Sequence, residues 1–237
     1  MCAAFHNTEK RKLPLVRGSV IRREYGNVIS KITLSVWIAE EGLVRVAYFP
    51  GAVAEDEPSY AVSPEYVAPG AEIREYDEPG IHVIETRLLR IRIRTEEQKV
   101  DFYDIVTDEP LLTDESGFGR ESKDWTGDCR VWIRKRLQET EHFFGLGDKP
   151  CALNLRGKYF SMWGADHYDF HEESDPLYKS IPFFLSLREG RAYGLLFDNT
   201  CRSYFDFGAT DETVLSFGSF GGLMNYCLLY TSPSPRD

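Results

Sequence analysis

Two histidines four residues apart, His167 and His171, are the strongest hint of metal chemistry in the sequence. On a helix, such a pair would share one face and could ligate a single metal ion. No amphipathic helix is predicted here, and Pro176 closes the segment, so a solvated acidic loop is the better interpretation. We therefore predict no metal site and no cofactor. The acidic neighbours are Asp166, Asp169, Glu172, Glu173 and Asp175.

Acid–base chemistry on a sugar is a second possibility. An enzyme of the aldose epimerase type needs a histidine and a carboxylate that move a proton at the anomeric hydroxyl group. The chain has five histidines, and their positions form no convincing constellation: His6, His82, His142, His167 and His171. We assign no catalytic residue, and the epimerase stays open as an alternative function.

The composition limits the kinds of partner that this protein can bind. The formal net charge is -10 and the pI is about 5.1, so nucleic acids and anionic membrane surfaces are repelled on average. Aromatic residues make up 14% of the chain, which suits both strand packing and flat sugar-binding surfaces. A neutral ligand is therefore favoured over a phosphate-bearing one.

The cysteines predict neither a disulfide framework nor a zinc knuckle. They are five in number, widely spaced and never arranged as C-x-x-C: Cys2, Cys129, Cys151, Cys201 and Cys227. No apolar run approaches the ~20 residues that cross a bilayer, and residues 1–15 are too polar for a signal-peptide core if Met1 is the native start. We expect a cytoplasmic protein.

The elements that must position these residues are strands, because the dominant hydrophobic period is two. Residues 32–38 alternate and then return through 43–49, which predicts a hairpin. Leu89, Ile91 and Ile93 alternate with three arginines, which indicates one buried and one solvated face. With residues 1–226 taken as one domain, the pattern predicts an all-β antiparallel sandwich. Further strands are predicted at 99–105, 130–136, 183–187, 192–197, 203–207 and 213–217.

Irregular segments are predicted between the strands. Residues 51–77 and 113–128 are rich in turn-forming residues and are interpreted as loops. At residues 198–200 the Asp-Asn-Thr sequence favours a turn in which side chains cap backbone groups. An exposed ion pair between Arg202 and Asp206 is conceivable and would contribute little.

Several short segments occur in a fixed order in the C-terminal part of the chain. They are FGLGDK at 144–149, MWGAD at 162–166, DPLYKSIPFF at 175–184, AYGLLFDNT at 192–200, RSYFDFG at 202–208 and GGLMNY at 221–226. Each segment alone is weakly specific, but together and in this order they resemble glycoside hydrolase family 31, the α-glucosidase-like family.

The resemblance implies a β-sandwich of the galactose-mutarotase-like (supersandwich) kind, which in this family packs beside a catalytic (β/α)8 barrel. The barrel carries the two carboxylates of a retaining glycosidase, which lie about 5–5.5 Å apart. A barrel takes roughly 250 residues, so we expect it to be absent from this chain. Residues 227–237 depart from the pattern and are expected to be an artefactual or disordered tail.

The resemblance also implies a substrate-binding loop. In the family, the aspartate corresponding to Asp166 reaches the mouth of the barrel and accepts hydrogen bonds from sugar hydroxyls. Trp163 and Tyr168 are candidates to stack on a sugar face, although Gly164 replaces the family's asparagine. The implied partners are an α-linked oligosaccharide or glycoside and the protein's own barrel. A stand-alone carbohydrate-binding module is the remaining alternative.

Overall fold

A computed structural model describes residues 21–27, 31–50, 59, 61–63, 65–122 and 129–231. Within these ranges all regular elements are β-strands, and every strand pair is antiparallel. The predicted all-β antiparallel sandwich is thereby confirmed. The described part of the chain contains no helix long and apolar enough to cross a membrane. Cys2, His6 and the segment interpreted as too polar for a signal peptide lie outside the described residues.

The strands follow the alternating pattern of the sequence. The described residues form β1 (Ile21–Asn27), β2 (Ile32–Glu40), β3 (Leu43–Pro50), β4 (Arg74–Glu78), β5 (Ile81–Glu85), β6 (Leu89–Arg94), β7 (Lys99–Asp104), β8 (Pro110–Leu112), β9 (Asp114–Ser122), β10 (Cys129–Arg136), β11 (His142–Gly147), β12 (Tyr159–Met162), β13 (Ser180–Arg188), β14 (Arg191–Phe197), β15 (Ser203–Phe207), β16 (Val214–Ser219) and β17 (Met224–Tyr230).

The described strands assemble into three sheets. Sheet A has seven strands in the order β1-β2-β3-β17-β14-β13-β11. Sheet B is the meander β4-β5-β6-β7-β8, and sheet C has the order β12-β15-β16-β10-β9. Strand β7 of sheet B contacts β9 of sheet C, so these two sheets together form a second layer that faces sheet A.

One hydrophobic core joins both layers. Phe184 of sheet A packs edge-on against two rings of sheet C, with centroids 5.8 Å from Phe205 and 5.2 Å from Phe207. All three rings are fully buried. Buried residues of sheets B and C belong to the same cluster as those of β2, β3 and β17. A fully buried large apolar side chain contributes about 1.5–3 kcal/mol, so this core is the main stabilising term.

A charged group lies inside this core. The Lys135 ammonium of β10 is fully buried and lies 2.7 Å from the Asp114 carboxylate of β9. It donates hydrogen bonds to the Val100 carbonyl of β7 and to the Tyr226 hydroxyl of β17, both at 3.0 Å. Burial holds the pKa of the Asp114 carboxyl above its ordinary value, although the neighbouring Lys135 acts in the opposite direction. These four residues, the central junction, connect all three sheets.

The three arginines of β6 do not form a ligand site. Each guanidinium is paired with acidic side chains: Arg90 with Glu85 at 2.9 Å, Arg92 with Glu78 at 2.8 Å, and Arg94 with Asp101 at 2.7 Å. The strand buries its aliphatic residues and leaves the arginines half-buried, as the alternating pattern predicts.

Residues 113–128 are not the loop that the turn residues indicate. Residues Asp114–Ser122 form β9, which pairs with β10. Within that strand, Gly119 is paired with Trp132 of β10, and a Cβ at Gly119 would lie 2.2 Å from the Trp132 ring. The position therefore requires glycine. Residues 123–128 lie outside the described residues. The glycines thus mark a close approach of a neighbouring side chain rather than an interruption of the strand.

The C-terminal boundary is also corrected. Strand β17 runs from Met224 to Tyr230 and lies between β3 and β14 in the middle of sheet A. Leu228 and Tyr230 are buried, and the Tyr230 hydroxyl donates to the Asp104 carboxylate at 2.5 Å. Residues 227–230 are therefore part of the fold and not of a tail, because their alternating burial completes the sheet. Residues 232–237 lie outside the described residues.

Candidate functional site

The predicted substrate-binding residues lie on one irregular segment, residues 163–179, which connects β12 to β13 and is called here the site loop. Its base is fixed to the sandwich by Asp175, which accepts a hydrogen bond from the Ser161 amide at 2.5 Å and pairs with the Lys149 ammonium. The Leu177 side chain is buried, and its carbonyl accepts a hydrogen bond from the Ala165 amide at 3.1 Å. Both ends of the loop are therefore held, while its middle projects.

The projecting side chains are exposed. Trp163 is 52% and Tyr168 102% exposed. The Asp166 carboxylate is exposed as well, and within the described residues it has no hydrogen bond or ion pair. Farther along the loop, the Phe170 and Tyr178 rings meet edge to face with centroids 6.3 Å apart. Asp166 is thus free to accept hydrogen bonds from an external ligand, whereas most buried carboxylates of this chain are already occupied.

A cleft of about 580 Å³ opens beside the loop. Trp163 forms one wall, and Ile181 of β13 and the turn at Asp198 and Asn199 form others. Asp166 and Tyr168 stand on the same loop but do not line the cleft. The structure therefore brings Trp163 to a concave site and leaves the other two predicted residues projecting beyond it.

The polar groups of this cleft have structural roles. The Asn199 side-chain nitrogen lies within hydrogen-bond distance of Ser219 Oγ and of the Gly221 and Leu223 carbonyls, at 2.9 to 3.0 Å. Asn199 Oδ1 accepts from the Cys201 amide at 2.7 Å. This is the capping role predicted for the turn. A pair between Arg202 and Asp206 does not form, because Asp206 accepts backbone amides after β15, including that of Ala209 at 2.7 Å.

An exposed apolar surface adjoins the cleft on the outer side of sheet A. Alternate residues of β13 point outward, namely Ile181, Leu185 and Leu187, at 51%, 47% and 40% exposure. Leu229 of β17 lies in register with Leu185 through Gly194 and is 38% exposed. This surface is called the apolar face. Because Ile181 belongs to both features, the apolar face and the cleft are continuous.

One histidine–carboxylate arrangement was missed by sequence reasoning. His82 Nδ1 lies 2.6 Å from Asp77, and its other ring nitrogen lies 3.5 Å from Glu75. The turn between β4 and β5 places Asp77 directly opposite His82, so the Pro79-Gly80 turn could have indicated the pair. Burial raises the pKa of Glu75, but His82 and Arg23 outweigh it and lower the pKa to about 2.

This arrangement does not support epimerase chemistry, because the His82 side chain is only 3% exposed and no sugar reaches it. His167 and His171 are exposed, and among the described residues neither is paired with a carboxylate. The His171 ring contacts the Glu172 carbonyl at 2.7 Å, and the His167 carbonyl accepts from the Tyr178 hydroxyl. Within the part of the chain that the structure describes, no three potential ligands converge on a metal position.

Residues 33–206 match the family described as the glycosyl hydrolase 31 N-terminal galactose mutarotase-like domain. Alpha-glucosidase 2 of Bacillus thermoamyloliquefaciens is 34% identical over 206 residues, which is 83% of this chain and 24% of that protein. Alpha-xylosidase XylQ of Lactiplantibacillus pentosus is 27% identical over 116 residues, which is 48% of this chain and 14% of that protein.

A solved structure agrees with these matches. A family 31 dextranase from Flavobacterium johnsoniae, crystallised as a mutant with isomaltotriose, superimposes with a TM-score of 0.78 at 28% identity. The superposition covers 90% of this chain and 25% of the dextranase. The chain therefore spans about a quarter of the length of the α-glucosidase and of the dextranase.

Proposed function

The chain belongs to the glycosyl hydrolase 31 N-terminal galactose mutarotase-like domain family, and from that premise we propose that it is the non-catalytic domain of an α-glucosidase-like retaining glycosidase. The observation that carries the proposal is the continuity of the apolar face with the cleft and the site loop. If the apolar face packs against the catalytic domain, the adjoining site loop is held close to the active site of that domain.

The apolar face is the surface on which the catalytic barrel packs. Leu185, Leu187 and Leu229 expose aliphatic groups that water solvates poorly, and Leu185 of β13 lies in register with Leu229 of β17 across β14. Scattered single apolar residues need no explanation, but a contiguous group marks an interaction surface. Covering these side chains with a second domain stabilises the assembly by roughly 25 cal/mol for each Å² of apolar surface removed from water.

Asp166 supplies a charged acceptor to the sugar in the barrel. Its carboxylate is exposed and, within the described residues, unpaired, and the loop that carries it is anchored at both ends. A carboxylate can accept hydrogen bonds from two neighbouring hydroxyls, and such charge-assisted bonds are stronger than neutral ones. Trp163 and Tyr168 present aromatic faces on the same loop, where they stack against pyranose rings. The substrate is an α-linked oligosaccharide or glycoside.

Catalysis itself is assigned to the barrel. Hydrolysis with retention needs a nucleophilic carboxylate and an acid–base carboxylate about 5–5.5 Å apart across the glycosidic bond. Asp166 acts only by binding and orienting the sugar. This lowers the activation barrier of hydrolysis, because the reacting groups are held in the geometry that the reaction needs. The domain therefore contributes affinity and position, and the barrel contributes the bond-breaking groups.

The experiment compares this chain with the polypeptide extended past Tyr230 along its gene, using p-nitrophenyl α-glucoside as substrate. We expect hydrolysis by the extended polypeptide and none by this chain alone, because the two carboxylates are expected in the barrel. Hydrolysis by this chain alone, or faster mutarotation of glucose in its presence, would contradict the proposal. Mutarotation would specifically favour the epimerase alternative.

A further inference from the structure

The outer surface of sheet C carries a second concave feature. A groove of about 210 Å³ runs across β10, β16, β15 and β12. It is lined by Arg130, Trp132, Arg134, Tyr159, Tyr204 and Asp211, among others. None of its lining residues belongs to the cleft beside the site loop. The groove is therefore a separate feature of the molecule, and the proposed function makes no use of it.

Trp132 lies flat against the sheet at one side of this groove. A Cβ at Gly119 of β9 would meet the indole at 2.2 Å, so the ring occupies the space where a side chain of the neighbouring strand would stand. A Cβ at Gly218 of β16 would instead meet the backbone of β10, at 2.3 Å from the Val131 carbonyl oxygen, so this glycine allows the two strands to approach each other. Gly119 is thus the glycine that leaves room for the half-buried indole to lie along the sheet surface.

Tyr159 continues the aromatic surface and packs against Tyr204, which is buried. The rings of Tyr159 and Tyr204 are stacked, with centroids 5.6 Å apart and planes inclined by 14°. Tyr159 is 48% exposed, so one of its faces is open to a ligand. The Arg130 guanidinium lies over both Tyr204, at 5.4 Å, and Trp132, at 5.7 Å, and links the two halves of the surface.

The rim of the groove carries both signs of charge. Arg134 lies 3.4 Å from Asp211 and 3.1 Å from Glu115, so these side chains largely neutralise one another. A polyanion is disfavoured here because carboxylates face the groove and the chain has a net charge of -10. Flat aromatic faces bordered by guanidinium donors and carboxylate acceptors suit a neutral ligand with many hydroxyl groups.

We propose that this groove binds a pyranose unit of a neutral oligosaccharide, with Tyr159 and Trp132 as the stacking surface. Asp211 accepts hydrogen bonds from sugar hydroxyls, and Arg130 and Arg134 donate to them. Such a site would hold part of a glucan away from the site loop and raise the local concentration of substrate. The inference does not depend on the role proposed for Asp166.

Titration calorimetry of this chain with maltotriose and with isomaltotriose tests the site. We expect weak but measurable binding of at least one of the two. Tyr159→Ala removes an exposed aromatic face and weakens that binding by about 5-fold. Tyr66→Ala is the matched control, because it removes a tyrosine that is 42% exposed and lines neither the groove nor the cleft.

A second variant keeps the test decisive if Tyr159→Ala disturbs the edge of sheet C. The Asp211 side chain is 43% exposed and lies between strands β15 and β16, so Asp211→Asn should preserve the fold and is expected to weaken binding by about 3-fold or more. The proposal is overturned if neither trisaccharide binds the unaltered chain. It is equally overturned if trigalacturonate, a charged probe, binds more tightly than both neutral ones, or if Tyr66→Ala weakens binding as much as Tyr159→Ala does.

Discussion

The central junction and the site loop place carboxylates in opposite surroundings. Asp114 is 2% exposed and lies against a buried ammonium, whereas Asp166 is exposed and has no partner within the described residues. A buried charge has lost its hydration and must be compensated by its neighbours. An exposed charge keeps its hydration and remains available for a ligand. We therefore expect the first carboxylate to affect stability, and we propose that the second affects binding.

The largest effect is expected at the central junction. Lys135→Met leaves the Asp114 carboxylate buried without its cation and should reduce the free energy of unfolding by about 3–5 kcal/mol. Urea unfolding followed by circular dichroism measures this difference. Adding Asp114→Asn to Lys135→Met should recover much of the loss, because the uncompensated charge is then removed.

An exposed pair provides the matched control. Arg92 and Glu78 lie 2.8 Å apart and are 36% and 40% exposed. Arg92→Met should change the free energy of unfolding by less than about 1 kcal/mol. Similar losses from Lys135→Met and Arg92→Met would show that burial does not set the contribution of a charge in this protein.

An intermediate effect, on solubility rather than stability, is expected at the apolar face. The double variant Leu185→Ser, Leu187→Ser replaces two half-exposed leucines and should increase the soluble yield of this chain at least about twofold. Sedimentation after expression at matched levels gives the measurement. Val106→Ser, at a site that is 86% exposed on an isolated turn, should leave the yield unchanged. An equal gain from both variants would mean that the apolar face has no special role.

Most strands could be predicted because their side chains alternate. The hairpin of β2 and β3 and the strand Leu89–Arg94 follow directly from a period of two. The turn at Asn199 was also predictable, since asparagine caps nearby backbone groups. The family segments then indicated the site loop, because they lie at its two ends.

The remaining features depend on contacts between residues far apart in the sequence. Lys135 continues an alternating strand, and nothing local shows that its inward position meets Asp114 of β9 and Tyr226 of β17. In the sequence, Gly119 cannot be distinguished from a loop glycine, because the Trp132 ring that packs against it comes from another strand. Residues 227–230 complete a central strand of sheet A, and this depends on the position of β17 between β3 and β14.

The contrast between the buried Asp114 and the exposed Asp166 is tested most directly by Asp166→Asn in the polypeptide extended past Tyr230. Asp169→Asn of the same loop is the control. Asp166→Asn should lower kcat/KM for an α-glucoside by about 10-fold or more, because a charge-assisted hydrogen bond is lost. The free energy of unfolding should stay within about 0.5 kcal/mol of the parent value. An unchanged kcat/KM, or a loss matched by Asp169→Asn, would contradict a sugar-binding role for this carboxylate.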